Sequence, residues 1–447
     1  MTPQHTLHIG IDDTDSTKGG CTTYLTANLI EKLQPYNIKY LDYPLLIRLN
    51  PNIPWKTRGN AALCLRLHYD KTQEQKIKET TATLLEKHAT TNEKNTNPGI
   101  VFYKNKTIPP QLTTFTKQTQ TNIVTLKQAT TLIKKTHAEA IGYNNCRGII
   151  GALAAIGETL QNDYTYELIA YRTPQHIGTK RQIDPISILE MDKQTQPHTY
   201  NNIDTTKNKI LITPHGPDPI LFGIRGETPE ILKKAYTIIK PQEPVERWVI
   251  FRSNQGTDAH LQPIKNTSQL QPYHSVTLKG TVSKEPRTVP LRHIIFTLAD
   301  TYGEIDCAAY EPTGDLCKTA RQLETGDLIE VSGAVHKATT KRPLTINLEK
   351  IHILQLAEKV QTENPLCPGC GKHLKSMGKK QGFRCERCGD RFTELKKTEF
   401  LRHRSLKGGL YVASTRSQRH LTKPLRRYGQ EKKDASANHF VDQWHSP

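Results

Sequence analysis

The chain has 447 residues, 35% of them hydrophobic, and carries 62 Lys and Arg against 43 Asp and Glu, a formal net charge of +19. That length predicts about three or four domains. No window approaches the ~20 apolar residues of a membrane span, and Met1-Thr2-Pro3-Gln4-His5 lacks a signal-peptide core, so a membrane or secreted protein is excluded and a cytoplasmic one expected. The excess of cations predicts a polyanionic partner bound through its phosphates.

The first element is Leu7-His8-Ile9-Gly10-Ile11, an apolar run that reads as a buried strand. It runs into Asp12, Asp13 and Asp15, then Lys18, Gly19, Gly20, Cys21, Thr22 and Thr23, before a helix with Leu25, Leu29 and Leu33 on one face. Three carboxylates at the end of a strand can hold Mg²⁺, which bridges nucleotide phosphate oxygens. Gly19 and Gly20 let the backbone approach closely, and a helix N-terminus offers free N–H groups to an anion. Thr22 and Thr23 add hydroxyls that bind phosphate or receive it. A helix-capping acidic turn is the plainer alternative, but three carboxylates in four residues repel one another without a cation. Neither G-x-x-x-x-G-K-[ST] nor G-x-G-x-x-G occurs, so ATP use here would need another phosphate cradle.

Leu45–Asn50 and Ala61–Leu67 read as strands around a proline-bounded loop, and Arg48, Lys56 and Arg58 would meet a phosphate near the acidic turn. Helices are expected within 70–98, over 127–140 and at Ile149–Ile156. Strands at Tyr166–Tyr171 and Lys209–Ile212, a strand between loops within 214–227 and a helix at Glu230–Ile239 fit a ferredoxin-like α+β unit. Residues 275–355 hold five strand-like runs with a helix at Leu316–Leu323, the pattern of an OB barrel that reads single-stranded nucleic acid; an SH3-like barrel is the alternative.

Cys367, Cys370, Cys385 and Cys388 form two CxxC pairs 14 residues apart. Four thiolates at that spacing close a tetrahedral structural Zn²⁺ site with no open coordination position. Residues 366–447 carry 19 basic and 7 acidic residues, so this module and the tail behind it are where nucleic acid is expected to be gripped.

Gly10-Ile11-Asp12-Asp13-Thr14-Asp15 with Cys21-Thr22-Thr23, Ile47–Pro51 with Lys56–Asn60, and Gly223-Ile224-Arg225-Gly226-Glu227 resemble the archaeal tRNA 2-agmatinylcytidine synthetases. Thr96–Gly99, Gly148–Ala155 and Leu168–Arg172 match that family too, and the resemblance runs on through the barrel to the cysteine pairs. It implies a ligase that attaches agmatine to carbon 2 of the wobble cytidine of the isoleucine tRNA with a CAU anticodon, turning ATP into AMP and two phosphates. It also implies a multidomain α+β fold: a kinase-like ATP and Mg²⁺ domain (1–135), a ferredoxin-like agmatine-binding domain (136–250), an OB domain (270–356), and a zinc ribbon with a basic tail (362–447). No protein partner is implied. In the family the threonine matched by Thr22 is itself phosphorylated. Agmatine is a dication, for which Glu167, Asp192 and Asp204 are available carboxylates. Two other classes stay open: a non-catalytic OB and zinc-ribbon nucleic-acid-binding protein, and a Mg²⁺-dependent phosphohydrolase.

Overall fold

The computed structural model describes residues 5–340, 342–433 and 440–446. The first strand, His5–Asp12, lies between Ala61–Tyr69 and Gly99–Tyr103, antiparallel to both. Glu139–Gly142 adds an outer strand beside Gly99–Tyr103, and Leu45–Arg48 pairs with Ala61–Tyr69 on the other side. Leu45–Arg48 then pairs in parallel with Val245–Ser253, which carries the sheet into a second unit.

That unit runs strand Thr165–Arg172, helix Pro185–Thr195, strand Thr199–Tyr200, strand Ile220–Gly226, helix Pro229–Ile238, strand Val245–Ser253. Numbered within the unit, its strands lie in the order 4-1-3-2, so the βαββαβ pattern is ferredoxin-like. Lys209–Ile210, expected as part of a strand of this sheet, instead pairs with Ile203–Asp204 in a separate two-stranded ribbon.

Alternation along each strand fills two cores. Leu7, Ile9 and Ile11 face the helices Thr22–Leu33 and Glu74–His88, whereas Leu168 and Ala170 face the opposite layer, which includes the helix Gly148–Gly157. That helix is apolar all round and almost wholly buried, as its alanine- and isoleucine-rich sequence requires.

The barrel of residues 275–355 closes in the order 1-2-3-5-4-1, with helix Asp315–Arg321 between its third and fourth strands. This is the OB arrangement. Beyond it, Val360–Glu363 and Thr398–Leu401 form an antiparallel stalk that carries the cysteine module. Its three strands are only two residues each, and its small core is Cys367, Leu374, Phe383 and Cys385.

The segment after the stalk does not continue outward as a basic tail. Gly409–Val412 joins the last barrel strand, and the chain then returns to the first two units, where Phe440, Val441 and Trp444 pack on the main cores; residues 434–439 lie outside the described residues. Arg427, 1% exposed, donates to Glu227 at 2.5 Å and to both oxygens of Asp163 at 3.0 Å. Lys423 and Lys432 also pair with Asp163 and Glu227 respectively. Much of the positive charge expected to seek phosphate is therefore already committed to internal carboxylates, because burial leaves those acids no other counterion.

Removing Arg427 takes a guanidinium from two buried carboxylates and leaves each with one lysine, Lys423 for Asp163 and Lys432 for Glu227, so Arg427→Ala should lower stability by about 2–3 kcal/mol in urea titrations. Replacing residues 364–397 by a two-residue turn joins Glu363 to its cross-strand partner Thr398 and should leave the unfolding midpoint near that of the intact chain.

Candidate active site

The strand directions bring the carboxyl ends of His5–Asp12, Leu45–Arg48, Ile220–Gly226 and Val245–Ser253 to one edge of the shared sheet. A cavity of about 410 Å³ opens there, and both units line it. Ligands in α/β sheets sit at this edge because the loops that leave it are free to vary.

One lobe is acidic. Helix Gly148–Gly157 lies so close to the first strand that a Cβ on Gly10 would strike the Ala152 carbonyl. A Cβ on Gly151 would strike the Asp12 carboxylate, so a glycine is required where that carboxylate meets the helix. Burial pushes the Asp12 carboxyl well above the usual range, and the charge of Asp13 adds to the effect. Asp13 takes a left-handed backbone conformation, φ 58°, and accepts a 2.9 Å bond from Arg147. Burial raises its carboxyl despite that guanidinium. Asp15 is pushed up to about 6 by burial, opposed by Arg58, whose Nε lies 3.5 Å from it. Arg58 also faces Asp218 at 3.6 Å and donates to the Ser16 carbonyl.

At the start of helix Thr22–Leu33 the buried Thr22 hydroxyl accepts from Thr14 at 3.0 Å, and Thr23 lies 3.0 Å from the Cys21 sulfur. Both threonines line the cavity. Gly20, φ 77°, packs against Asp15, and Gly19 closes the turn with Ser16. Lys18 does not join them: its side chain is 75% exposed and its ammonium pairs with Glu93 at 2.8 Å.

The other lobe is basic and comes from five distant parts of the chain. Glu167 accepts from Arg225 at 3.2 Å and Gln255 at 2.5 Å, with Arg48 at 3.7 Å. Burial brings Arg48 down to about 10. His420, arriving from the returning C-terminal segment, accepts a 2.8 Å bond from Arg225 through Nδ1. Burial and the neighbouring Arg48, Arg225 and Lys56 hold its imidazole well below the ordinary histidine range, hence neutral. Lys56 donates to the Arg58 carbonyl at 3.1 Å.

Asp12, Asp13, Asp15, Thr22, Thr23, Arg48, Lys56 and Arg58 thus converge, while Lys18 faces solvent. The three aspartates do not form a ready three-ligand cluster; among the described residues only the four cysteines bring three or more ligand atoms within 4.8 Å. Arg147, Arg225, Gln255 and His420 complete the site and carry no local sequence signal beyond the family motif around Arg225. Of the three carboxylates weighed in the second unit, Glu167 alone lines the cavity; Asp192 accepts from Asn202, and Asp204 caps a turn and faces Arg416.

In the distal module Cys367 and Cys388 lie 4.0 Å apart through their sulfurs, and Cys370 and Cys385 3.5 Å apart. The Arg387 and Cys388 backbone N–H groups donate to the Cys385 sulfur, helping to bring its thiol down to about 6. This is the donor set of a closed tetrahedral metal centre.

A two-lobed cavity in a sheet shared by two units, joined to an OB barrel and a four-thiol ribbon, is the apparatus of an RNA-modifying enzyme. Family models agree along the chain: the TiaS TCKD domain matches residues 8–145, the TiaS FLD domain 146–260, an OB-fold nucleic acid binding domain 276–354 and the TiaS C-terminal zinc ribbon domain 364–406. The isoleucine-tRNA 2-agmatinylcytidine synthetase TiaS of Methanosarcina mazei is 46% identical, over 96% of this chain and 99% of its own. Crystal structures of TiaS with its isoleucine tRNA and ATP, and with that tRNA, AMPCPP and agmatine, align with TM-scores of 0.84 and 0.81 at 37% and 35% identity, each covering 95% of this chain and 97% of that one. The chain belongs to the TiaS family of isoleucine-tRNA 2-agmatinylcytidine synthetases.

Because Asp15 binds its proton more tightly folded than unfolded, its contribution to stability falls as pH rises from about 4 to about 6. Asp15→Asn in chelator-treated protein should therefore melt near the parent at pH 4 and well above it at pH 7.5. Equal shifts at both values would show that the carboxyl does not titrate in that range.

Proposed function

We propose that this chain conjugates agmatine to carbon 2 of the wobble cytidine of the AUA-reading isoleucine tRNA, converting ATP to AMP and two phosphates. The observation that carries the reading is the cavity itself, where buried carboxylates face a row of cations at the sheet edge shared by both units. Its relatives' named activity supplies the substrates.

A cytosine carbonyl is a poor electrophile, and its oxygen leaves only once phosphorylated. Phosphoryl transfer from the nucleotide turns that oxygen into a leaving group; the amine of agmatine then attacks carbon 2, the carbon–oxygen bond breaks, that phosphate departs and the nitrogen loses a proton, while the other phosphate lost from ATP passes to Thr22 and is released by water, leaving AMP. Catalysis of the first step is chiefly positioning and neutralisation of charge. Arg48, Lys56, Arg58 and Arg225 supply the positive charge, and Gly19 and Gly20 shape the turn that leads into the helix. Asp12 and Asp13, with Asp15 beside them, fit Mg²⁺: burial raises their carboxyls even with Arg147 beside Asp13, and the ion would neutralise phosphate oxygens there. Thr22 is the hydroxyl we assign as phosphate acceptor. Cys367, Cys370, Cys385 and Cys388 would hold Zn²⁺ in a structural role. Around them Lys379, Lys380, Arg384, Arg387 and Arg391 form a cationic surface for tRNA, while Lys372 and Lys375 share Glu386. A tRNA substrate assigns the enzyme to the cytoplasm. No helix among the described residues is long and apolar enough to cross a membrane.

AMP formation should require tRNA and agmatine together. Turnover with neither would indicate a phosphohydrolase, and tRNA binding without turnover a non-catalytic module. Asp12→Asn should abolish AMP formation and leave tRNA affinity within a few fold. Thr22→Ala should remove covalent phosphate from protein incubated with ATP, and Thr23→Ala should retain it; phosphopeptide mapping distinguishes the two. The shortened protein lacking residues 364–397 should bind tRNA more weakly, its log–log salt slope reduced by roughly 0.7–0.9 for each phosphate it no longer neutralises.

A further inference from the structure

Trp55 lines the mouth of the cavity with 43% of its surface exposed, whereas Trp248 is buried and Trp444 is packed against the cores. The loop that carries it is fixed at its base. Asn50, fully buried, donates to the Tyr273 carbonyl at 3.0 Å and accepts from the Asn52 backbone at 2.9 Å, and Asn60 donates to the Asn50 carbonyl at 2.8 Å. The Asn52 amide reaches Ser275, the first residue of the barrel, at 2.8 Å, and Arg419 donates to the same side chain. The tip, Pro54-Trp55-Lys56, is exposed. An indole is thus displayed on a rigid support between the OB barrel and the reaction cavity, with Lys56 and Arg419 close enough that Arg419 helps lower the lysine's proton affinity.

Leaving so large an apolar ring in water is unfavourable unless a ligand covers it. An exposed aromatic face flanked by cations is what binds an unpaired nucleotide: the ring stacks on the base and the cations meet its phosphates. The loop is tied to the barrel through Asn52 and to the acidic turn through Arg58, so the ring stands between the nucleic-acid-binding module and the reaction cavity, the path a base of the RNA takes. We propose that Trp55 is the platform on which the base entering the cavity stacks, a substrate-positioning contact that rests on the RNA-modifying function proposed above.

The test uses the full chain and an anticodon stem–loop RNA with the CAU anticodon. Trp55→Ala should weaken RNA binding by roughly 10- to 100-fold, with Trp55→Phe recovering most of it. An abasic nucleotide at the wobble position should cost the parent a comparable factor and the alanine variant almost nothing more. RNA should quench the most solvent-exposed tryptophan emission of the parent and not of Trp55→Phe. ATP affinity without RNA should be unchanged. Parent-like RNA binding by Trp55→Ala, additive losses with the abasic RNA, or an equal loss of ATP affinity would each overturn the platform. Failure of the parent itself to bind the RNA would instead overturn the function on which it rests.

Discussion

The parallel pairing of Leu45–Arg48 with Val245–Ser253 is the contact on which the rest of the molecule depends. Two hydrogen-bonded ladders that could each have ended at an exposed edge are joined there into one sheet. The junction also decides polarity. Because the two joining strands run the same way, Arg48 and the Ser253-Asn254-Gln255 turn emerge side by side, and Asn254 fastens them by accepting from the Arg48 N–H at 2.8 Å and donating to its carbonyl at 3.0 Å. An antiparallel junction would have sent the catalytic ends of the two units to opposite edges.

From that junction the electrostatics of the cavity follow. Desolvation raises the carboxyls on one side and depresses the basic groups on the other, and the ion pairs within each side neutralise only part of its charge. A buried cluster of this kind is tolerated when a charged ligand completes it, which is why perturbed groups gather at functional sites. The neutral imidazole of His420 has a specific place in this balance. It accepts a hydrogen bond from Arg225 without adding a further positive charge between two guanidiniums.

Much of this is legible in the residues, and the gaps have physical causes. The acidic turn, the alternating strands of the barrel and the thiol pairs announce themselves because each is a local pattern. Gly99–Tyr103 has no polar alternation, being buried on both faces, and the pattern assigns it no element. Val245–Ser253 follows Pro241 and Pro244 and is hidden by that break in the pattern. The basic lobe is legible only at Arg48 and Lys56: Glu167, Arg225, Gln255 and His420 are neighbours only after folding, and nothing local separates Glu167 from Asp192 or Asp204. The tail misleads for a related reason. Composition counts charges, and Arg427 facing Glu227 counts the same as a lysine facing water.

The return of the C-terminal segment to the first two units bears on the order in which the molecule is made. During synthesis the acidic turn, both halves of the sheet and the barrel all emerge before His420 and Arg427, yet Asp163, Glu227 and Arg225 await those two residues as partners. A nascent chain therefore holds an incomplete cavity and two unmatched buried acids until its last few dozen residues are released. The final stretch acts as a clasp, closing a fold whose other parts are already in place and withholding a finished reaction centre from any chain that stops early.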